Sequence, residues 1–149
     1  MITSLCIKLR IGTSLLLFIF SAGTFAQNYP WYKSQENPVI SSTLWSSHLY
    51  YPAVLFENGL YKMWFAADAG PYHASVGYAY SENGIDWTVE PAPVIPGSAG
   101  GNWQDYKGPG TVLMINDTLK MWYTGSSDHF NIELSIGYAY YDENNEEWV

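Results

Sequence analysis

Three of the six aspartates, Asp68, Asp105 and Asp128, lie in stretches where Gly, Pro, Ser and Asn interrupt the apolar pattern. Carboxylates so placed can serve as general acids or bases, provided a fold aims more than one of them at a single bond. The three histidines fall in stretches of the same kind, as His48, His73 and His129. None shows a ligand spacing such as His-x-x-x-His, so no metal site is expected. Trp45, Trp103 and Tyr106 keep company with these polar residues, and their flat rings suit either stacking on a sugar or packing between elements. Neither a nucleophile elbow nor a phosphate loop is present, and no cofactor is expected. The single cysteine, Cys6, lies in the N-terminal apolar segment, which rules out thiolate chemistry and disulfides in the rest of the chain.

The elements that would hold these residues come from self-similarity. Residues 52–65 (PAVLFENGLYKMWF) align without a gap on 110–123 (GTVLMINDTLKMWY), a shift of 58. Ser75–Tyr80 aligns on Ser135–Tyr140 at 60, Trp45 on Trp103 at 58, and Pro38-Val39-Ile40 on Pro93-Val94-Ile95 at 55. Each copy reads as four short strands, rich in β-branched and aromatic residues and separated by turn signals. In the first they span about 52–57, 60–66, 74–80 and 86–89; in the second about 110–115, 118–124, 133–140 and from Glu147. Asn58-Gly59 is a strong hairpin signal because both residues tolerate positive φ, and Asn116-Asp117 replaces it in the second copy. A recurring antiparallel quartet points to an all-β fold of β-propeller blades rather than a β-sandwich.

Alternating strand direction sorts the loops. The tight turns share one face, with Glu57, Glu82 and Asp117 as solvated turn charges. The long connections share the other, and function favours such loops. That second face collects Trp45, His48 and Tyr50 from the lead-in, Asp68 and His73, then Trp103, Asp105 and Tyr106, and finally Asp128 and His129. Trp64 and Trp122, in the same register of both copies, read as core.

The N-terminus is a different object. Lys8 and Arg10 precede the uncharged run Ile11–Phe20 and the small-residue stretch Ser21–Ala26. That is the pattern of a secretory signal peptide, too short in its apolar core to span a bilayer. Export to the periplasm or the extracellular space follows, with no membrane attachment after cleavage. Beyond residue 26 four basic and fourteen acidic side chains remain, a net charge of −10. The lysines are scattered, so nucleic acid is not an expected partner. Aromatic residues make up 17% of the chain and charged residues 13%, which argues against disorder.

Tyr51-Pro52-Ala53-Val54, Tyr61-Lys62-Met63-Trp64-Phe65, Val76-Gly77-Tyr78-Ala79-Tyr80-Ser81 and Gly84-Ile85-Asp86-Trp87 together resemble a blade of the five-bladed propeller superfamily. That superfamily contains arabinanases, levansucrases, invertases and glycoside hydrolases of families 32, 43, 62 and 130. Tyr106–Val112, Leu119–Gly125 and Ile136–Tyr140 repeat the resemblance, with Leu119 where the first copy has Tyr61. It covers about residues 36–148. The resemblance implies a partial five-bladed propeller acting on carbohydrate through carboxylates around a central funnel, one protonating the leaving oxygen and one ionised across the ring, roughly 5 to 9.5 Å apart. On that basis Asp105, Asp68 and Asp128 are the candidate catalytic residues. Trp45, His48, Trp103, Tyr106, His73 and His129 are the candidate substrate contacts. The family's first acid commonly starts the first inner strand, and here His48-Leu49-Tyr50-Tyr51 supplies none. Asp105 approaches the second copy comparably, and it suits a structural hydrogen bond equally well. A glycoside hydrolase and a non-catalytic carbohydrate-binding propeller therefore both remain open.

The expected organisation is a signal peptide at 1–26, a lead-in at 27–51, a first blade with its connecting loop at 52–107, and a truncated second blade at 108–149. Trp148 matches Trp87 at a shift of 61, inside a final strand. Propellers close a ring, so about three more blades are expected if the resemblance holds; the alternative is a half-propeller that closes by homo-oligomerisation.

Overall fold

Two antiparallel hairpin pairs, each opened by a two-residue turn, organise the chain. The computed structural model describes residues 30–68, 73–98, 102–127 and 133–149. The expected signal peptide, together with Asp128 and His129, lies outside the described residues. Residues 33–149 form one compact unit, and 30–32, the described part of the other, carry no strand. The strands are β1 (Leu49–Glu57), β2 (Leu60–Asp68), β3 (Ala74–Ser81), β4 (Thr88–Val89), β5 (Tyr106–Ile115), β6 (Thr118–Ser126), β7 (Leu134–Asp142) and β8 (Glu147–Trp148). There is no helix among the described residues, and the fold is all-β.

Asn58 and Gly59 adopt φ of 51° and 80°, and Asn116 and Asp117 adopt 51° and 57°. These values match the left-handed pair that a tight hairpin turn between twisted strands requires. β1 to β4 pair in sequence, as do β5 to β8, and one parallel bridge, Ala74 to Tyr106, joins the two sets. Each set has the form of a propeller blade, and we call them the first and second blades.

Both inner strands start earlier than their prolines suggest. The register of β1 slips between Tyr50 and Ala53, and that of β5 between Pro109 and Thr111. Pro52 and Gly110 thus sit in β-bulges, where a missing N–H or side chain interrupts no ladder, and the strand continues upstream. Tyr50 and Tyr106 are therefore strand residues instead of loop residues, and Asp68 closes β2.

Strand pairing defines two faces per blade. In the first, Ala53, Leu55, Lys62, Trp64, Val76 and Tyr78 share what we call the trailing face, while Val54, Phe56, Met63, Phe65 and Ala79 share the leading face. The main core forms where the first blade's trailing face meets the second blade's leading face, Val112, Leu119, Met121, Tyr123 and Ala139, with Trp148 across Trp64. Trp64 and Met121 are essentially inaccessible, and each such side chain contributes about 1.5–3 kcal/mol by leaving water. A smaller core joins Phe65, Ala67 and Ala79 to Ile40, Trp45 and Leu49 of the lead-in and its strand. The connector after β4 runs along β3, with Val94 N–H donating to Val76 O at 2.8 Å and Val76 N–H to Ile95 O at 2.8 Å.

One charge departs from the solvated-turn expectation. Glu57 accepts from Lys62 Nζ at 2.7 Å, and both side chains are largely covered, because the tight turn places them on one face of the hairpin.

Candidate functional site

At the long-connection end of the first blade lie His48, Tyr50 and Asp68, beside the β1 bulge. Tyr51 takes φ of 52°, a left-handed value that costs a non-glycine residue energy and turns β1 at this spot. Tyr50 pairs with Ala66 across β2, which brings its ring toward the end of that strand. Its hydroxyl donates to Asp68 Oδ1 at 2.7 Å, and His48 Nδ1 lies 3.4 Å from Asp68 Oδ2. Burial, and then the hydrogen bond to the Asp68 carboxylate and its charge, hold the Tyr50 hydroxyl far above its ordinary pKa. Tyr50 therefore remains a protonated donor, and Asp68 keeps an oriented carboxylate with the imidazole of His48 on its exposed side.

Beside this group lies a recess of about 80 Å³ between the blades, lined by Tyr50, Tyr51 and Ala74 on one side and by Tyr106, Lys107 and Ser126 on the other. Binding sites for small organic ligands run to roughly 300–1,000 Å³, so this recess holds one substituent of a sugar rather than a whole ring. Tyr106 is buried in its wall.

Asp105 is placed differently. It is 4% exposed and accepts from Ser98 Oγ at 2.8 Å. Lys107, also buried, donates to Pro96 O at 2.7 Å. Burial lowers the Lys107 pKa, and the charge of Asp105 works against that shift. These bonds tie the connector to the start of β5, so the geometry of Asp105 is that of a clamp within the fold.

The loop tryptophans are seated on their own blades. Trp45 stacks on Phe65 with ring centres 6.5 Å apart, and Trp103 stacks on Tyr123 at 6.0 Å. Each aromatic partner lies over a glycine: a Cβ at Gly77 would come within 2.4 Å of Phe65, and one at Gly137 within 2.3 Å of Tyr123. Trp103 remains 38% exposed. Trp45 Nε1 and His73 Nδ1 are buried with no hydrogen-bond partner among the described residues.

The structure thus brings Asp68, His48 and Tyr106 to one corner, and adds Tyr50, Lys107 and Ser126, which sequence reasoning did not select as contacts. The order Tyr50-Tyr51-Pro52 carries the only usable signal, since a proline inside an inner strand marks a bulge. Among the described residues no group of three or more His, Cys, Asp or Glu is arranged to hold a metal. No helix of the described residues is long and apolar enough to cross a membrane.

No family model and no curated protein matches the chain. Solved structures do. A glycosyl hydrolase from Bacteroides ovatus superposes with a TM-score of 0.61 at 22% identity, over 78% of this chain and 39% of its own. A structure from glycoside hydrolase family 130, described as mannoside phosphorylases and as hydrolases that target β-1,2-mannosidic linkages in Candida mannan, gives 0.60 at 21% identity, over 78% and 39%. A family 117 glycoside hydrolase from the marine bacterium Zobellia galactanivorans gives 0.55 at 16% identity, over 68% and 37%. At these identities the likeness is one of fold, and the blades have the fold of the propeller glycoside hydrolases. The chain spans about two-fifths of the length of the structures it matches.

Proposed function

We propose that this chain forms the sugar-contacting rim of an exported carbohydrate-active propeller, with Asp68 as the carboxylate that engages the sugar. The observation that carries the reading is the oriented Asp68, bonded by Tyr50 and flanked by His48, at the edge of an inter-blade recess. Such a carboxylate accepts from sugar hydroxyls, or takes a proton from an attacking group, while Tyr50 fixes its direction. Trp103, 38% exposed, offers an aromatic ring of the kind on which sugars stack. Export is inferred from Lys8, Arg10 and the apolar run after them.

A second reading, binding without turnover, has its own support. Cleavage of a glycosidic bond takes two carboxyl groups roughly 5 to 9.5 Å apart. Asp68 is one carboxylate at the recess, and the buried Asp105 is engaged by Ser98. Calorimetric titration with β-mannan, arabinan and levan oligosaccharides, run beside a reducing-sugar release assay, separates the two. We expect binding to fall by about tenfold or more in Asp68→Asn, the loss of one charge-assisted hydrogen bond or more. Binding that ignores Asp68→Asn sinks the site assignment, and turnover by the chain alone sinks the second reading.

A further inference from the structure

The second blade exposes on its trailing face the residue types that the first blade buries on its own. Trp122, Ile136 and Tyr138 are 37%, 73% and 49% exposed, and Leu113 joins them at 43%. Their register counterparts in the first blade, Trp64, Val76, Tyr78 and Leu55, are buried or half-buried. Ring geometry agrees as well: Trp64 and Tyr78 lie 5.3 Å apart, and Trp122 and Tyr138 lie 5.4 Å apart. The open face is thus built as one half of the interface that already exists between the blades.

The other half is exposed at the opposite side of the molecule. Val54 and Phe56, on the first blade's leading face, are 53% and 58% exposed, whereas Val112, the counterpart of Val54, is 7% exposed against the first blade. We propose that the trailing face of the second blade docks the leading face of a second copy of this chain, head to tail. A contiguous apolar face of this kind marks an interaction surface, and a heterologous contact that repeats closes into a ring or runs on as a filament. A ring would take about two to four copies, the number that supplies the roughly 4 to 8 blades over which propellers close.

Two further features fit that occupant. The connector Val94-Ile95 is hydrogen-bonded to the backbone of Val76. Its sequence counterpart, Val39-Ile40, lies in the lead-in of every copy, and the counterpart of Val76 is the open Ile136, so the second copy brings its own clasp. The inter-blade recess is lined on its second-blade side by Tyr106–Gly108 and Thr124–Ser126. The corresponding residues of a docked copy are His48–Tyr50 and Ala66–Asp68. A cavity of about 390 Å³ that borders Gly108, Pro109 and Leu134 would thereby receive the second copy's Asp68, Tyr50 and His48. The association stands whether or not the rim binds sugar.

The test is sedimentation velocity of the purified chain at concentrations up to about 100 μM, well above the micromolar range of a weak interface of standard size. We expect concentration-dependent association. Ile136→Glu breaks the trailing face and Val54→Glu the leading face, both at exposed positions that leave the fold intact by circular dichroism. Each variant alone should be monomeric throughout that range, and an equimolar mixture should form a dimer that grows no further, since each supplies the face the other lacks. A monomeric wild type overturns the proposal and assigns the face to a blade other than one of a second copy. Association that survives either substitution, or a mixture that stays monomeric, overturns it equally.

Discussion

Trp64 and Trp122 hold one register in two blades, each tilted against a tyrosine at nearly the same separation. Trp64 is 2% exposed and Trp122 37%. The pattern of a blade is written in its own strands, while its burial is set by the neighbour placed against it. A blade of this kind is an incomplete hydrophobic object, and its stability belongs to the pair.

The largest expected effect breaks that comparison open. Trp64→Ala should cost about 3–5 kcal/mol, the loss for a large aromatic that leaves a cavity in a packed core. Trp122→Ala should cost less, about 1–2 kcal/mol in the monomeric protein, because over a third of that residue is already exposed. Urea denaturation of both variants in a Val54→Glu background, which keeps the second copy away, measures the difference. Equal losses would mean that the two faces are packed alike.

A second pair of substitutions should instead give matched effects. Gly77→Ala and Gly137→Ala each push a Cβ into the ring above it, Phe65 or Tyr123. Both rings are buried on a leading face, so each change should cost about 1–3 kcal/mol, the usual range for overpacking. A marked imbalance in urea midpoints would show that one aromatic seat is looser than the other.

The smallest expected effect is alkaline. Burial, and secondarily Asp68, raises the pKa of Tyr50; burial, and secondarily Glu90, raises that of Tyr78; burial raises that of Tyr123. The folded chain therefore holds these protons more tightly than the unfolded chain. Their contribution to stability is complete below the ordinary tyrosine value of 10.0 and is lost as the pH climbs past it. Tyrosinate absorbance should show the three titrating late, and Tyr50→Phe should remove one of the late groups. A wild-type titration that is uniform near the ordinary value would contradict the packing around them.

The hairpins were legible because Asn58-Gly59 and Asn116-Asp117 tolerate a left-handed backbone, which depends on the residues themselves. The all-β class was legible for the same local reason, the alternation of β-branched and aromatic residues between turn signals. The site was legible in part. Asp68 and His48 fall where alternating strand direction sends long connections, but the bond from Tyr50 depends on a bulge that shifts β1 against β2. Pro52 reads more readily as a strand start than as an interruption, so that register was hidden. For Asp105 the sequence leaves a catalytic role and a structural hydrogen bond both open, and only the connector, which brings Ser98 to it, decides for the second. The pairing of Glu57 with Lys62 was hidden likewise, since it needs the completed hairpin.

The claim on which the rest depends is that one blade's trailing face is sealed by its neighbour while the other's is open. Native-state amide hydrogen exchange on the dilute Val54→Glu chain addresses it strand by strand. The account predicts that amides of β3, above all Val76 with its bond to Ile95, exchange much more slowly than those of β7 around Ile136. Equal protection of the two strands, or slower exchange in β7, would contradict it.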